Sequence, residues 1–165
     1  MNLDAGLRKK ILGALTYGVY VLTAEREGDF HASTVTWVSQ VSFEPPLVMV
    51  AVRRESLMYV YVTTTGRFGL HILDKGQQDM AARFFKKPLV ESDTIGGVPF
   101  RPGKTGVPVL IPAPAALECE VRSVTLLGDH AVVIGEVQHL HLNPDRSETD
   151  IAPLRLHETP WKYSG

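Results

Sequence analysis

The sequence predicts a mainly β fold, a barrel of short strands with a few short helices. Three observations lead to this fold class. The 165 residues suit a single domain, residues 1–165, with enough interior for a sizeable core. Short β-prone runs, separated by charged, glycine or proline turns, account for most of the chain. Helical spacing of apolar residues is confined to a few short segments, which favours a barrel over an α/β sheet.

A helix and a hairpin are predicted first. Asp4 can cap a short helix, because apolar residues follow it at helical spacing. These residues are Leu7, Ile11, Leu12 and Leu15. Residues 17–24 are predicted to be the first strand. Residues 25–29 form a charged turn that contains Gly28, so this strand should continue as a hairpin.

The chain is organised around residues 31–46, which have the sequence HASTVTWVSQVSFEPP. As one strand, this stretch carries Ser33, Val35, Trp37 and Ser39 on one face and Thr34, Thr36, Val38 and Gln40 on the other. Uncharged hydroxyl-bearing faces suit a flat amphipathic ligand. A buried hairpin core with solvated threonines fits the same composition. The next run, residues 47–52 (LVMVAV), is apolar throughout and is predicted to be covered on both faces.

The later elements follow from the same periodicities. Ser56 can cap a helix that ends near Gly66. Further predicted elements are a strand at residues 68–73, a helix at 77–86, a strand at 115–122 with one buried face, and a strand at 130–142. Residues 87–114 are rich in proline and glycine, so we expect an ordered surface loop there. The tail after residue 142 is polar apart from Trp161 and Tyr163.

Composition narrows the function classes. A net charge of −1 without a basic cluster argues against a nucleic-acid partner. The single Cys119, expected to be buried, fits a reducing cytoplasm, and no signal peptide or membrane span is predicted. His139 and His141 share a strand face, but two ligands without a nearby third do not predict a metal site. We therefore expect a cytoplasmic protein without metal, membrane or nucleic acid.

Residue spacing also suggests a phosphate site. The glycine-rich phosphate motifs G-x-G-x-x-G and G-x-x-x-x-G-K-[ST] are absent from the sequence. Arg53, Arg54 and Ser56 follow the apolar run directly and combine two guanidinium groups with a hydroxyl at a predicted helix start. A solvated turn with a capping serine is the alternative.

Several motifs occur in a characteristic order along the chain. They are YGVYVLTA at residues 17–24, ASTVTWVSQVS at 32–42, PP at 45–46, GRFGLHIL at 66–73, LEC at 117–119, GDH at 128–130 and GEV at 135–137. No single motif is diagnostic, but the ordered set covers nearly the whole chain. It resembles the flavin reductase-like family of FMN-binding split barrels, flavoredoxin-like members included.

The resemblance implies a Greek-key split β-barrel that binds FMN, with FAD as an alternative flavin. It implies that the flavin is lined by Ser33, Thr34, Val35, Thr36, Trp37, Val38, Ser39 and Gln40, and by Arg53, Arg54 and Ser56. Lys86 is carried over as a second phosphate contact. His130 of the Gly-Asp-His motif is placed beside the flavin, where it would assist the nicotinamide. Barrels of this family are homodimers, so a homodimer is expected.

The function that the resemblance implies is reduction of FMN by NADH or NADPH, with hydride transfer to flavin N5. Reduced flavin or electrons would pass to an oxygenase or another electron-acceptor protein. Two alternatives stay open: a flavoredoxin-like electron carrier, and a non-catalytic ligand-binding or assembly protein on the same barrel. The segment HETPWKY at residues 157–163 departs from the family's usual His-Gly-Arg-Tyr-like ending. Trp161 and Tyr163 are expected to border the nicotinamide.

Overall fold

The computed structural model describes residues 4–163, apart from the side chain of Glu148. It is mainly β with a few short helices, as predicted. The strands are β1 (Tyr20–Arg26), β2 (Asp29–Val35), β3 (Val38–Ser42), β4 (Leu47–Arg53), β5 (Arg67–Ile72), β6 (Thr94–Ile95), β7 (Val98–Pro102), β8 (Pro108–Leu110), β9 (Ala115–Leu126) and β10 (His130–Leu142). The helices are α1 (Ala5–Leu12), α2 (Leu57–Thr65) and α3 (Gln78–Ala82). Short 3₁₀ turns lie at Lys75–Gln77, Glu148–Asp150 and Leu156–Glu158.

Strand order explains why the large sheet curls into a barrel. Its seven strands follow the antiparallel order β2-β1-β5-β9-β10-β4-β3, so the consecutive strands β2 and β3 stand at opposite edges. In a flat sheet those edges would be about 29 Å apart, at about 4.8 Å per strand interval. The chain crosses from Val35 to Val38 in three residue steps, which span at most about 11 Å. The sheet must therefore curve until its two edges meet at residues 36–37.

This crossing corrects the prediction for residues 31–46. They form two strands rather than one alternating strand, because β2 pairs with β1 whereas β3 pairs with β4. The predicted hairpin before them is present. Arg26 pairs with Asp29 across Glu27 and Gly28, both at positive φ (53° and 83°), as a two-residue type I′ turn requires.

The apolar run of β4 is covered unequally on its two faces. Val48, Val50 and Val52 are buried in the core, whereas Leu47, Met49 and Ala51 are only half-buried. Two-sided burial is therefore incomplete within one chain. The alternation follows from the pleat of an edge-proximal strand, whose inner face alone meets the barrel core.

The helices differ from their predictions mainly in length and burial. Ser56 caps α2 by accepting a hydrogen bond from the backbone N–H of Tyr59 (3.1 Å), and Gly66 ends the helix at φ 69°, as predicted. Asp4 caps α1, but the apolar residues of that helix are exposed. The third helix ends at Ala82 rather than at residue 86. Its last turn tightens into shorter-range hydrogen bonds that direct Phe84 into the core.

Residues 87–114 form a small sheet instead of the expected surface loop. Strands β6, β7 and β8 pair in that order, and Ile95, Phe100 and Leu110 are buried. The prolines stand at or near strand ends, where a missing N–H costs little, so proline content concealed these strands.

Strand β9 also corrects a prediction. The alternation predicted for residues 115–122 buries Leu117 and Cys119 and so places Glu118 on the solvent face, but Glu118 is fully buried beneath the β7–β8 loop. Its carboxylate accepts hydrogen bonds from the backbone N–H groups of Lys104 (2.8 Å) and Thr105 (2.7 Å), and His141 contacts it at 2.5 Å. These partners come from distant parts of the chain, so alternation alone could not reveal them.

The core lies on both sides of β1. Val21 faces a cluster shared with α3 and the small sheet, and Leu22 faces a cluster inside the barrel that includes Met58 and Val62 of α2. None of the helices within residues 4–163 combines the length and apolar character needed to cross a bilayer.

Candidate functional site

A cleft of about 520 Å³ opens where the chain crosses between the sheet edges. Its walls come from the end of β2, the crossing residues 36–37, the end of β4, the start of α2 and the residues just after α3. Seven residues predicted to bind the cofactor line it: Ser33, Thr34, Val35, Thr36, Trp37, Arg53 and Ser56. The fold thus brings together two predicted segments that are about 16 residues apart in the sequence.

Two buried polar atoms at the crossing have no hydrogen-bond partner among residues 4–163. Thr36 Oγ1 and Trp37 Nε1 make no hydrogen bond within the described part of the chain, and both residues line the cleft. The backbone beside them is fixed, since Trp37 O accepts a hydrogen bond from Ala51 N at 3.0 Å. Buried polar atoms without partners are costly, so this wall suits a ligand with hydrogen-bonding heteroatoms along its edge.

Other hydroxyls of the predicted segment already have structural partners. Thr34 Oγ1 donates to the carbonyl of Ala81 (2.6 Å), and Thr34 N donates to the carbonyl of Phe84 (3.2 Å). Ser33 Oγ lies 3.2 Å from His31 Nε2. Thr34 therefore connects β2 to α3 through two hydrogen bonds, and its hydroxyl proton is not free to be donated to a ligand.

The predicted phosphate segment occupies the join between β4 and α2. Arg53 is exposed and lines the cleft. The Ser56 hydroxyl donates to the carbonyl of Arg53 (2.7 Å) while it caps α2. Arg53 and the first N–H groups of α2 are consequently the anion-binding features of this end, and Ser56 contributes by holding the turn.

Several predicted cofactor residues lie outside the cleft. Val38, Ser39 and Gln40 belong to β3, where Ser39 and Gln40 are exposed and bond to neighbouring carbonyls. The Arg54 guanidinium donates to the carbonyl of Gly128 (3.2 Å) and so supports the β9–β10 turn. Lys86 is exposed, and its neighbour Phe85 lines the cleft instead.

His130 does not itself line the cleft, but it contacts two residues that do, Trp37 and Tyr163. It is the register partner of Arg53 across β10 and β4, so both side chains belong to the same face. Its ring is 4.6 Å from the ring of Trp37, and its Nε2 is 2.7 Å from the Tyr163 hydroxyl. Its Nδ1 lies 2.8 Å from Asp129 Oδ1, and this hydrogen bond lowers the pKa of Asp129.

The family model for the flavin reductase like domain matches residues 12–159. The chain belongs to this flavin reductase-like family. It is 36% identical over 137 residues to the diflavin flavoprotein A 1 of Synechocystis sp., covering 82% of this chain and 24% of that protein. It is 31% identical over 138 residues to the NADH-dependent flavin reductase StyB of Pseudomonas fluorescens, covering 83% of this chain and 78% of that protein.

Solved structures of flavin reductases share the fold. The styrene monooxygenase flavin reductase of Pseudomonas putida S12 superimposes with a TM-score of 0.72 at 31% identity, covering 85% of this chain and 88% of that one. The predicted resemblance is confirmed. The chain spans about a quarter of the length of the diflavin flavoproteins that it matches.

Part of the cleft wall was not predicted from the sequence. The residues that were not predicted are Val19, Ala51, Val52, Met58, Phe84, Phe85, Leu156 and Lys162. Most are apolar and sit in patterns typical of a core, so nothing in their local sequence separates a cleft wall from the interior. Trp161 and Tyr163, expected beside the nicotinamide, do line the cleft.

Metal and thiol chemistry have no support in the described residues. Residues 4–163 contain no group of three or more histidine, cysteine or acidic side chains placed to hold a metal ion. His141 is bound to Glu118 and contacts Arg101 at 3.1 Å. Burial raises the pKa of the Cys119 thiol to about 12, so the thiol stays protonated and unreactive.

Proposed function

We propose that this protein is an NADH- or NADPH-dependent flavin reductase that binds FMN in the cleft at residues 36–37. The observation that carries the proposal is a pair of buried polar atoms in the wall of a ligand-sized cleft, Thr36 Oγ1 and Trp37 Nε1, which have no partner in the part of the chain that the structure describes. A flavin offers an apolar ring system with hydrogen-bonding atoms along one edge, which matches this wall.

The residues fit FMN along the length of the cleft. Thr36 and Trp37 would hydrogen-bond the ring edge, and Arg53 with the N-terminus of α2 would bind the phosphate. Met58 and Phe84 supply apolar contact. When bound, the flavin supplies the hydride acceptor, and the protein contributes binding and orientation. This division of labour explains why the cleft needs no nucleophile or paired carboxylates of its own.

The nicotinamide would occupy the end of the cleft beside His130 and Trp161. His130 is the residue we propose to contact the hydride donor, by hydrogen bonding to its carboxamide or phosphate. It lies at the start of β10, opposite Arg53, and contacts Trp37 and Tyr163 of the cleft wall, so a donor that displaces Tyr163 would meet it.

The proposed partner is an oxygenase that receives reduced flavin. The structurally similar protein of P. putida S12 is the flavin reductase of a styrene monooxygenase. The proposal also includes a homodimer, supported by the incompletely covered outer face of β4. A cytoplasmic location is supported by the single, buried, reduced cysteine.

A flavoredoxin-like electron carrier is the second candidate. It is favoured by the contact between Tyr163 and His130, which occupies the nitrogen that a nicotinamide would use. A carrier would hold FMN yet respond slowly to NADH or NADPH.

The test begins with FMN reconstitution followed by desalting and anaerobic addition of NADH or NADPH. We expect a yellow protein whose flavin absorbance bleaches with one of the two donors. Retained colour without bleaching would favour the carrier, and a colourless protein that does not quench flavin fluorescence would refute both.

The phosphate assignment has a matched pair of variants. Arg53→Ala should weaken FMN binding by about tenfold or more, while riboflavin binding barely changes, because one charge-assisted hydrogen bond to phosphate is lost. Arg54→Ala is the control, since Arg54 faces Gly128 rather than the cleft. Fluorescence quenching measures both flavins. An equal loss of affinity for FMN and for riboflavin in Arg53→Ala would contradict the assignment of Arg53 to the phosphate.

A further inference from the structure

Residues 161–163, which we call the tail segment, form part of the wall of the proposed flavin cleft. All three line it. Trp161 packs edge-on against Phe85, with ring centroids 4.7 Å apart, and Tyr163 packs edge-on against Trp37 at 5.3 Å. The tail segment is therefore held against both the α3 side and the crossing side of the cleft by aromatic contacts.

A hydrogen-bonded chain continues from the tail segment to the β9–β10 turn. Asp129 Oδ1 lies 2.8 Å from His130 Nδ1, and His130 Nε2 lies 2.7 Å from the Tyr163 hydroxyl. An ionised carboxylate can only accept, so in the neutral imidazole Nδ1 carries the proton and Nε2 offers its lone pair. Burial raises the pKa of Tyr163, so its hydroxyl keeps its proton and donates to Nε2.

The surroundings leave little room for a second partner at that nitrogen. Only 12% of the His130 side chain is exposed, and its ring lies 4.6 Å from Trp37. A neutral imidazole has one acceptor lone pair, so Nε2 cannot accept from Tyr163 and from a ligand amide at once. The nitrogen that would contact the donor is therefore already bonded to the tail segment.

We propose that Tyr163 competes with the nicotinamide donor for His130 Nε2, so that the donor binds only after the tail segment has released this contact. The inference rests on the proposed function. The carboxamide N–H of a reduced nicotinamide donates as the tyrosine hydroxyl does, and so can replace it. Asp129 fixes the tautomer that both donors need, which makes it a positioning residue.

The strength of the contact sets the size of the effect. Protein affinity for a ligand is reduced by the fraction of molecules whose site is closed. One ordinary neutral hydrogen bond can shift that equilibrium by about two- to tenfold. Removing the tyrosine hydroxyl should therefore lower the half-saturating donor concentration by about the same factor.

The experiment compares Tyr163→Phe with wild type by anaerobic stopped-flow reduction of the FMN-loaded protein across a range of NADH and NADPH concentrations. Phenylalanine keeps the packing against Trp37 and removes only the hydroxyl. Tyr59→Phe is the control, because Tyr59 carries the same group outside the cleft lining. We expect the half-saturating donor concentration to be about two- to tenfold lower in Tyr163→Phe and unchanged in Tyr59→Phe. An unchanged or higher half-saturating donor concentration in Tyr163→Phe would overturn the proposal. Tighter FMN binding without a change in the half-saturating donor concentration would also overturn it.

A second measurement separates this inference from the proposed function. The imidazole ¹⁵N shift of His130 is recorded in protein without flavin, for wild type and Tyr163→Phe. We expect a different Nε2 shift in the variant, and movement of the wild-type signal on saturation with NAD⁺. An identical shift in both proteins, or no movement on saturation, overturns the competition. Failure of both NADH and NADPH to reduce FMN would instead count against the reductase proposal.

Discussion

His71 is a histidine that the fold keeps neutral. It is fully buried on β5, with Nδ1 3.1 Å from the carbonyl of Val21 and Nε2 accepting from the N–H of Leu110 at 3.0 Å. The carbonyl can only accept, so the proton resides on Nδ1. Burial, its largest influence, lowers the pKa of His71 to about 4. Protonation would also convert Nε2 into a donor facing another donor.

This pKa predicts a pH dependence of stability. The ordinary histidine pKa is 6.5, so between pH 6.5 and pH 4 the unfolded chain binds a proton that the folded chain does not. The free energy of unfolding should therefore fall as the pH decreases through this range, and His71 contributes no slope above it. Urea titrations at several pH values measure the effect.

His71→Leu should remove this part of the slope. It should also lower stability at neutral pH by about 1–3 kcal/mol, because the partners at Val21 and Leu110 lose their hydrogen bonds. His139→Gln, at a partly exposed position on β10, is the control and should keep the wild-type slope. A slope that survives unchanged in His71→Leu would assign the pH dependence to other groups.

Residue types in the cleft were predictable from the sequence, but their hydrogen-bond partners were not. Uncharged hydroxyls at residues 33–36 indicated a polar wall, and seven predicted residues do line the cleft. Which hydroxyl remains unpartnered depends on contacts with distant segments. Thr34 bonds to Ala81 across 47 positions, whereas Thr36, two residues later, has no partner in the described chain.

At the scale of elements, Glu118 fastens the β7–β8 loop to the large sheet. It accepts hydrogen bonds from Lys104, Thr105 and His141 although it is fully buried. Burial would raise the pKa of this carboxyl, but the hydrogen bonds from Thr105, His141 and Lys104 lower it to about 2. Gly103 provides the space, since a Cβ there would come within 2.6 Å of the carboxylate.

Glu118→Gln should destabilise the protein by about 2–4 kcal/mol. A neutral amide has only one acceptor oxygen, and its NH₂ group would face the N–H and O–H donors that the carboxylate now accepts from. Chemical denaturation measures the loss, and amide exchange at residues 103–107 should rise before other regions. Glu120→Gln on the same strand is the control, since its exposed ion pair with Arg122 contributes little. Similar losses in both variants would contradict the fastening role.

Elements with local signals were predictable from the sequence, and elements defined by distant pairing were not. The Ser56 cap and the Gly28 turn are local, and both formed as predicted. The break at residues 36–37 exists because β2 and β3 pair with different neighbours. The strands within residues 87–114 likewise depend on burial against Phe84 and Leu73, which periodicity within the segment cannot convey.

At the scale of the molecule, closure of the sheet creates the cleft and also leaves one apolar face uncovered. Met49 and Ile134 are register partners on β4 and β10, and Val132 lies on the same face two residues away. Met49 and Ile134 are half-buried, and 38% of Val132 is exposed. The apolar residues of β4 therefore project to both sides of the sheet, and only the barrel side is fully covered within one chain.

The proposed homodimer would bury this face, and Val132→Asp tests it. An unpaired carboxylate at an apolar interface costs several kcal/mol, so the dissociation constant should rise by about a hundredfold or more. Sedimentation equilibrium measures the change.

Val124→Asp is the matched control. Val124 has almost the same exposure, 36%, but its register partner Val133 faces the barrel core, so Val124 belongs to the opposite face of the sheet. We expect the wild type and Val124→Asp to sediment as dimers and Val132→Asp as a monomer, with unchanged circular dichroism in all three. A monomeric wild type at micromolar concentration, or equal dissociation of both variants, would exclude this face as the interface. Because β4 supplies both Met49 on the outer face and Arg53 at the cleft, dissociation should also weaken FMN binding in Val132→Asp.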